Sequence, residues 1–213
     1  MAELIALSVI ILIFSVIVHE VMHGYVALMF GDTTAQRAGR LTLNPLPHID
    51  PVGTILLPGL LLFLNYISGG VGFLIGWAKP VPVNPLNFNN LRKGEIFVSL
   101  AGVFANFALA LVFALLYHIS GAFYPNNMFL KILEFGVQIN LVLGVFNLLP
   151  VPPLDGSKVL IALLPFEMAR SFERVSFQYG FMIILLLLYL NIIGIIFDVT
   201  IPPLMSLLGI RPF

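Results

Sequence analysis

His19-Glu20-Val21-Met22-His23 lies inside Leu4–Phe30, a run apolar enough to span a membrane. In a helix of about 3.6 residues per turn, positions four apart share a face. Both imidazoles then point the same way and can bind one metal ion. Glu20 stands beside them, placed to act on water at the metal rather than to ligate it. The plain alternative is a pair of histidines hydrogen-bonded across a helix bundle. Three ionisable residues in an apolar helix each need a partner or a polar cavity, and nothing simpler than a metal site accounts for all three. At a rise of about 1.5 Å per residue, His19 lies roughly 22 Å from Leu4. That is well inside a hydrocarbon core of about 30 Å, nearer its far face.

The rest of the composition agrees with lipid. Of 213 residues, 60% are hydrophobic and 9% charged, and the mean hydropathy is +1.06. These values exclude an ordinary soluble domain and point to an integral membrane protein. The net charge of zero gives no basic surface for nucleic acid. With no cysteine, disulfides and thiolate ligands are excluded, and a metal site must use His, Asp or Glu. Met1-Ala2-Glu3 lacks the basic start of a signal peptide, so Leu4–Phe30 reads as a retained first span.

Further along, Gly31-Asp32 stops the first helix. Arg40-Leu41-Thr42-Leu43-Asn44 alternates as a short half-buried strand would. A β element is therefore expected near residues 36–44, with a plain loop as the alternative. An edge strand there could pair with an extended peptide, making Asn44 a candidate substrate-binding residue. Pro51–Trp77 is apolar but broken by Pro58, Gly59, Asn65, Gly69, Gly70, Gly72 and Gly76, as a broken span or a re-entrant hairpin would be. Ala78-Lys79-Pro80-Val81-Pro82-Val83-Asn84-Pro85 cannot be helix and reads as an extended segment. Gly94–Tyr117 is a clean span, in which Gly102 and Asn106 share a face. They serve close helix packing, and Asn106 is also a candidate for lining a polar cavity and binding substrate there. Met128–Leu149 is the next span and ends at Pro150-Val151-Pro152-Pro153. Ser157–Leu164 is a short apolar continuation, Phe177–Phe197 the last span, and Ile201–Phe213 a surface tail. The expected fold is an all-α polytopic membrane protein with about four full transmembrane helices. It forms one domain over residues 1–213, with a catalytic core at about 1–165 and a C-terminal span and tail at 171–213.

Loop charges choose between topologies, because Lys and Arg prefer the cytoplasm. If Pro51–Trp77 re-enters and returns, every Lys and Arg except Lys131 and Arg211 falls on one side. If it crosses, the split is nearly even. The re-entrant arrangement also places His19, His23 and Asp155 toward the same face. Catalytic zinc takes three protein ligands plus water, and Asp155 is the best third ligand, on broken backbone beside Gly156. The alternative for Asp155 is a cap on the helix starting near Ser157. His48 and Asp50 compete as ligands but fit loop shaping better, and Glu134 falls at the wrong end of its span.

His19-Glu20-x-x-His23, with Asn147-x-x-Pro150-x-Pro152-x-x-Asp155-Gly156 at the end of a later span, resembles the site-2 protease family of intramembrane zinc metalloproteases. Gly102-x-x-x-Asn106 resembles the family's intervening core helix. Trp77-Ala78-Lys79-Pro80-Val81-Pro82-Val83-Asn84 resembles its small members without PDZ or CBS domains. The resemblance covers roughly residues 10–165. It implies one Zn2+ held by His19, His23 and Asp155, Glu20 as catalytic base, and Asn147 as a substrate-handling residue. It also implies transmembrane protein substrates cleaved near the cytoplasmic face of the cell membrane. The substrate's identity and any homo-oligomer stay open. Two other functions use the same residues. A metal transporter would show paired half-structures, and no internal duplication is visible. A silent scaffold would have no use for Glu20.

Overall fold

Residues 2–29 carry Leu, Ile, Val and Phe on every face, and a helix apolar all round needs lipid or a core on all sides. The computed structural model describes residues 2–68, 76–123 and 128–211. Three helices in it are long and apolar enough to cross a membrane: α1 (Ala2–Met29), α4 (Leu91–Phe123) and α5 (Met128–Leu148). Between α1 and α4 lie the short α2 (Thr34–Arg37) and α3 (Leu57–Ser68). After α5 come α6 (Asp155–Leu163), α7 (Phe166–Tyr189) and α8 (Ile192–Leu207).

In lipid, helices associate through close packing and interhelical hydrogen bonds, so contact faces favour small residues. The buried face of α4 is made of Ala101, Gly102, Ala105, Asn106, Ala110 and Ala114. Its larger side chains fill glycine notches on α5. A β-carbon on Gly136 would lie 2.7 Å from the Phe113 ring, and one on Gly144 would lie 2.9 Å from Phe107. Phe104, Leu111 and Leu115, by contrast, are exposed, as side chains facing acyl chains would be.

The connection between α1 and α4 begins and ends at the same level. Gly31 turns the chain with φ +99°, and Asn89 N–H donates to Phe30 O at 2.8 Å. The two helices are thus antiparallel neighbours, and α2 and α3 leave and rejoin the bundle at one end. This is the relation the re-entrant topology requires of the first two spans.

Three expectations are corrected. Among the described residues there is no strand near 36–44. The segment is helical at Thr34–Arg37 and then bends, because the N–H groups of Ala38, Gly39 and Arg40 close back on carbonyls of α2 and side chains take Thr42 O and Asn44 N–H. Among the described residues three helices, not four, are long and apolar enough to cross on their own. The region expected to supply the last is split between α7, bent by 69° between Phe166–Ser176 and Gln178–Tyr189, and the shorter α8. Residues 201–210 are not a surface tail. Ile201, Met205 and Ile210 are buried against Ala110, Ala114, Val137 and Leu141, because α8 presents an i, i+4 apolar pair to α4 and α5. Of the expected break in 51–77, Asp50 caps a wide turn at Pro51–Leu56 that runs into α3. Gly69, Gly70 and Gly72 lie outside the described residues.

Candidate metal centre

Ser15, His19 and His23 follow one another at four-residue intervals on α1, and all three are buried. His19 lies against α4. A β-carbon on Gly102 would lie 2.5 Å from its Cε1 atom, so only glycine leaves room for the ring. One turn later on α4, Asn106 Oδ1 accepts from His19 Nδ1 at 2.7 Å. His23 Nδ1 donates to Val98 O at 2.6 Å. A neutral imidazole that donates through Nδ1 keeps a bare lone pair on Nε2, so both Nε2 atoms are available as ligands.

Asp155 completes the set. The chain leaves α5 and doubles back, and Gly156 packs so closely on Leu148 O and Leu149 O that a side chain there would overlap them. The turn brings Asp155 Oδ2 to 3.1 Å from both His19 Nε2 and His23 Nε2. The two Nε2 atoms are 3.0 Å apart. Three lone-pair donors therefore face one another at the corners of a near-equilateral triangle. Tetrahedral zinc with bonds of about 2.0–2.1 Å sets its ligand atoms about 3.3 Å apart, so the triangle fits such an ion with small adjustments. The capping alternative for Asp155 is not seen: Leu154 precedes the first turn of α6, and no side chain caps it. The second oxygen of Asp155, Oδ1, accepts from Lys158 Nζ at 2.9 Å.

Glu20, His23 and Asp155 line one cavity of about 400 Å³, shared with Val81, Val98, Lys158 and Ile161. Its near wall is the extended strap at residues 79–84. Val81 N–H donates to Glu20 Oε2 at 2.9 Å. The strap is pinned along its length. Lys79 N–H donates to His48 O at 2.9 Å, and Arg40 Nη2 donates to Lys79 O at 2.7 Å and to Pro80 O at 3.3 Å. Asn84 N–H donates to Asp32 Oδ2 at 2.7 Å. Gly24, next to His23, receives Leu41 and Val81, and its β-carbon would lie 2.5 Å and 2.9 Å from them. Asp32 also accepts from Thr34 and Asn87. Burial works to raise its carboxyl, but these donors outweigh that and hold it below the usual carboxylate range.

His19, Glu20, His23 and Asp155 are thus brought together as the sequence suggests. Asn44, Asn106 and Asn147 do not line the cavity. Asn44 is exposed and accepts from Leu46 N–H. Asn106 is fully buried beneath His19, and Asn147 donates to Leu143 O of its own helix. His48 and Asp50 shape the loop: His48 Nε2 donates to Thr42 O, and Asp50 accepts from Val52 and Gly53 N–H. Sequence reasoning misses Arg40, Lys158 and Arg92. Lys158 carries a usable signal, three residues after Asp155 on one helix face. Arg92 donates to Ala162 O at 2.7 Å and Leu163 O at 3.0 Å, satisfying the end of α6 from α4, and no local pattern announces that.

Comparison with known proteins places the chain in a family. The sequence model of peptidase family M50 matches residues 88–187. The chain is similar to YwhC of Bacillus subtilis (strain 168), with 39% identity over 186 residues, covering 84% of this chain and 78% of YwhC. It is 35% identical to Rip2 of Mycolicibacterium smegmatis over 82% of this chain and 63% of Rip2. It is 34% identical to MJ0611 of Methanocaldococcus jannaschii over 68% of this chain and 63% of MJ0611. The chain thus spans just under two thirds of the last two, and all three carry zinc-metalloprotease names. No solved structure matches. On a relative matched over more than three quarters of its length, with the family model matching residues 88–187, the chain belongs to peptidase family M50, the site-2 proteases.

Proposed function

We propose that this chain is an intramembrane zinc metalloendopeptidase that hydrolyses peptide bonds of membrane-embedded protein segments. The observation that carries the reading is the convergence of His19 Nε2, His23 Nε2 and Asp155 Oδ2, at the edge of a cavity that His23 and Asp155 line together with Glu20. These three side chains would hold the zinc. When bound there, the ion supplies Lewis acidity, polarising a carbonyl and acidifying water.

The chain's own residues do the rest. Val81 N–H holds Oε2 of Glu20, and in this reading Oε1 is the oxygen that handles the proton. Glu20 takes the proton of the attacking water and returns it to the leaving nitrogen. A substrate helix hides its peptide bonds, so it must unwind locally before one can enter the cavity. Helix-breaking residues near the scissile bond are expected to help. Six of the ten Lys and Arg, among them Arg37, Arg40, Lys79 and Lys158, belong to the segments around the site. This charge bias supports a site at the cytoplasmic end of a multi-pass protein.

The test is Glu20→Gln in proteoliposomes holding a transmembrane peptide substrate. Cleavage should fall by about 10²–10⁴-fold, the range of general acid–base catalysis, with zinc still bound at one per chain. Full cleavage by that variant would remove the reading.

A further inference from the structure

A chain of buried polar groups runs from the candidate metal site into the centre of the bundle, and the order of its donors can be read from its far end. Ser15, Asn106 and Asn140 are each fully buried, on α1, α4 and α5. Asn140 Nδ2 lies 2.8 Å from Gly136 O and 2.9 Å from Ser15 Oγ. A backbone carbonyl can only accept, so Gly136 fixes which end of the Asn140 amide is nitrogen. The oxygen then faces Asn106 and accepts from Asn106 Nδ2 at 3.0 Å. That in turn fixes Asn106, whose own oxygen faces His19 Nδ1 at 2.7 Å. An amide oxygen can only accept as well, so the proton belongs on Nδ1 of His19 and the lone pair on Nε2, toward His23 and Asp155.

We propose that Asn140, braced by Gly136 and Ser15, is a positioning residue that acts through Asn106 to hold His19 in its metal-binding tautomer. The proposal rests on the metal reading given above. Without Asn140, the Asn106 amide is free to rotate and present its nitrogen to the ring. The competing tautomer would then point a hydrogen at the place the ion must occupy. Outer partners of metal-bound histidine commonly alter metal affinity by about 10–100-fold. Asn140 stands one residue beyond such a partner, so its effect should fall near the lower end. Lipid gives the relay its force, since a loose polar group there finds no bulk water to replace a lost partner.

Two measurements test this on the full chain in lipid nanodiscs. The first is zinc affinity by competition with a chromogenic chelator. Asn106→Leu and Asn140→Leu should each weaken binding, Asn140→Leu by about tenfold. Asn140→Asp should restore it, because a buried neutral carboxylic acid can both accept from Asn106 and donate to Gly136 O. The second needs no variant of the relay. The chain has four histidines, so ¹⁵N-histidine labelling gives a readable ring spectrum, with His19 assigned by its loss in His19→Gln. Metal-free wild type at pH 9 should carry a proton on His19 Nδ1, whereas a ring with none there would overturn the proposal. Unchanged zinc affinity in Asn140→Leu would do the same. If wild type itself bound no zinc, the metal reading would fall first and take this inference with it.

Discussion

The backbone amide of Val81 donates to Oε2 of Glu20 across 2.9 Å, although the two residues are 61 positions apart in sequence. The strap at 79–84 therefore fixes one oxygen of the proposed base. Val81 stands between Pro80 and Pro82, so the local backbone already suits proline. Val81→Pro should remove the donor with little change of path. A hydrogen bond to a charged group contributes about 1.5–3 kcal/mol, so kcat should fall at least about tenfold with zinc content unchanged. Single-turnover cleavage beside metal analysis measures both. A kcat equal to wild type would mean that the strap does not orient Glu20.

Gly102 holds the place where the His19 ring meets α4. A methyl group there would lie 2.5 Å from the ring, closer than carbon atoms tolerate, so the imidazole must shift. Gly102→Ala should weaken zinc binding by tenfold or more while leaving helix content intact. Chelator competition and circular dichroism read the two effects separately. Wild-type affinity would show that the close seat of the ring is dispensable.

The ligands themselves lead to a sharper expectation. His23→Ala or Asp155→Ala should bring bound zinc below one per chain. In wild type, stripping the metal with a chelator should stop cleavage and added zinc should restore it. Full zinc stoichiometry in either variant would remove that residue from the ligand set.

Asp32 ties the end of α1 to the strap, and its carboxyl titrates below the usual range. A group whose pKa is lowered on folding stabilises the fold above its unfolded value, about 3.9. That contribution is lost as pH falls through the lower, folded value. Strap attachment should therefore stay constant from pH 8 to pH 5 and weaken only in stronger acid. Asp32→Ala should expose residues 79–84 to limited proteolysis even at neutral pH. Equal proteolysis rates for the two proteins would show that the strap is held without it.

The three long apolar helices and the meeting of His19, His23 and Asp155 are legible in the sequence because each rests on one strong constraint. For α1 it is unbroken apolarity, for His19 and His23 the helical period, and for Asp155 a carboxylate on proline-broken backbone. The strand expected at 40–44 fails for a reason that alternation cannot show. Arg40 turns its guanidinium to the strap carbonyls, Leu41 packs over Gly24, and His48 takes Thr42 O. Those partners come from elsewhere in the chain, and a pattern of period two does not encode them. The same holds for α8, where Pro202-Pro203 reads as a terminator. The burial of Ile201 and Met205 against α4 and α5 nevertheless carries the helix through. Asn106 is visible as a polar residue in a span, but whether it grips a ligand or meets a substrate depends on which helix faces it.

The clamp from Arg92 to the end of α6 gives the site a mechanical character. α6 is gripped by α4 at one end and presents Asp155 to α1 at the other. With 33 residues, α4 is about 50 Å long, more than a bilayer's hydrocarbon thickness, and such helices answer hydrophobic mismatch by tilting. Any tilt of α4 against α1 is levered through α6 to the carboxylate. Turnover should thus depend on acyl-chain length in reconstituted bilayers, and the membrane itself becomes a tuning element of the enzyme.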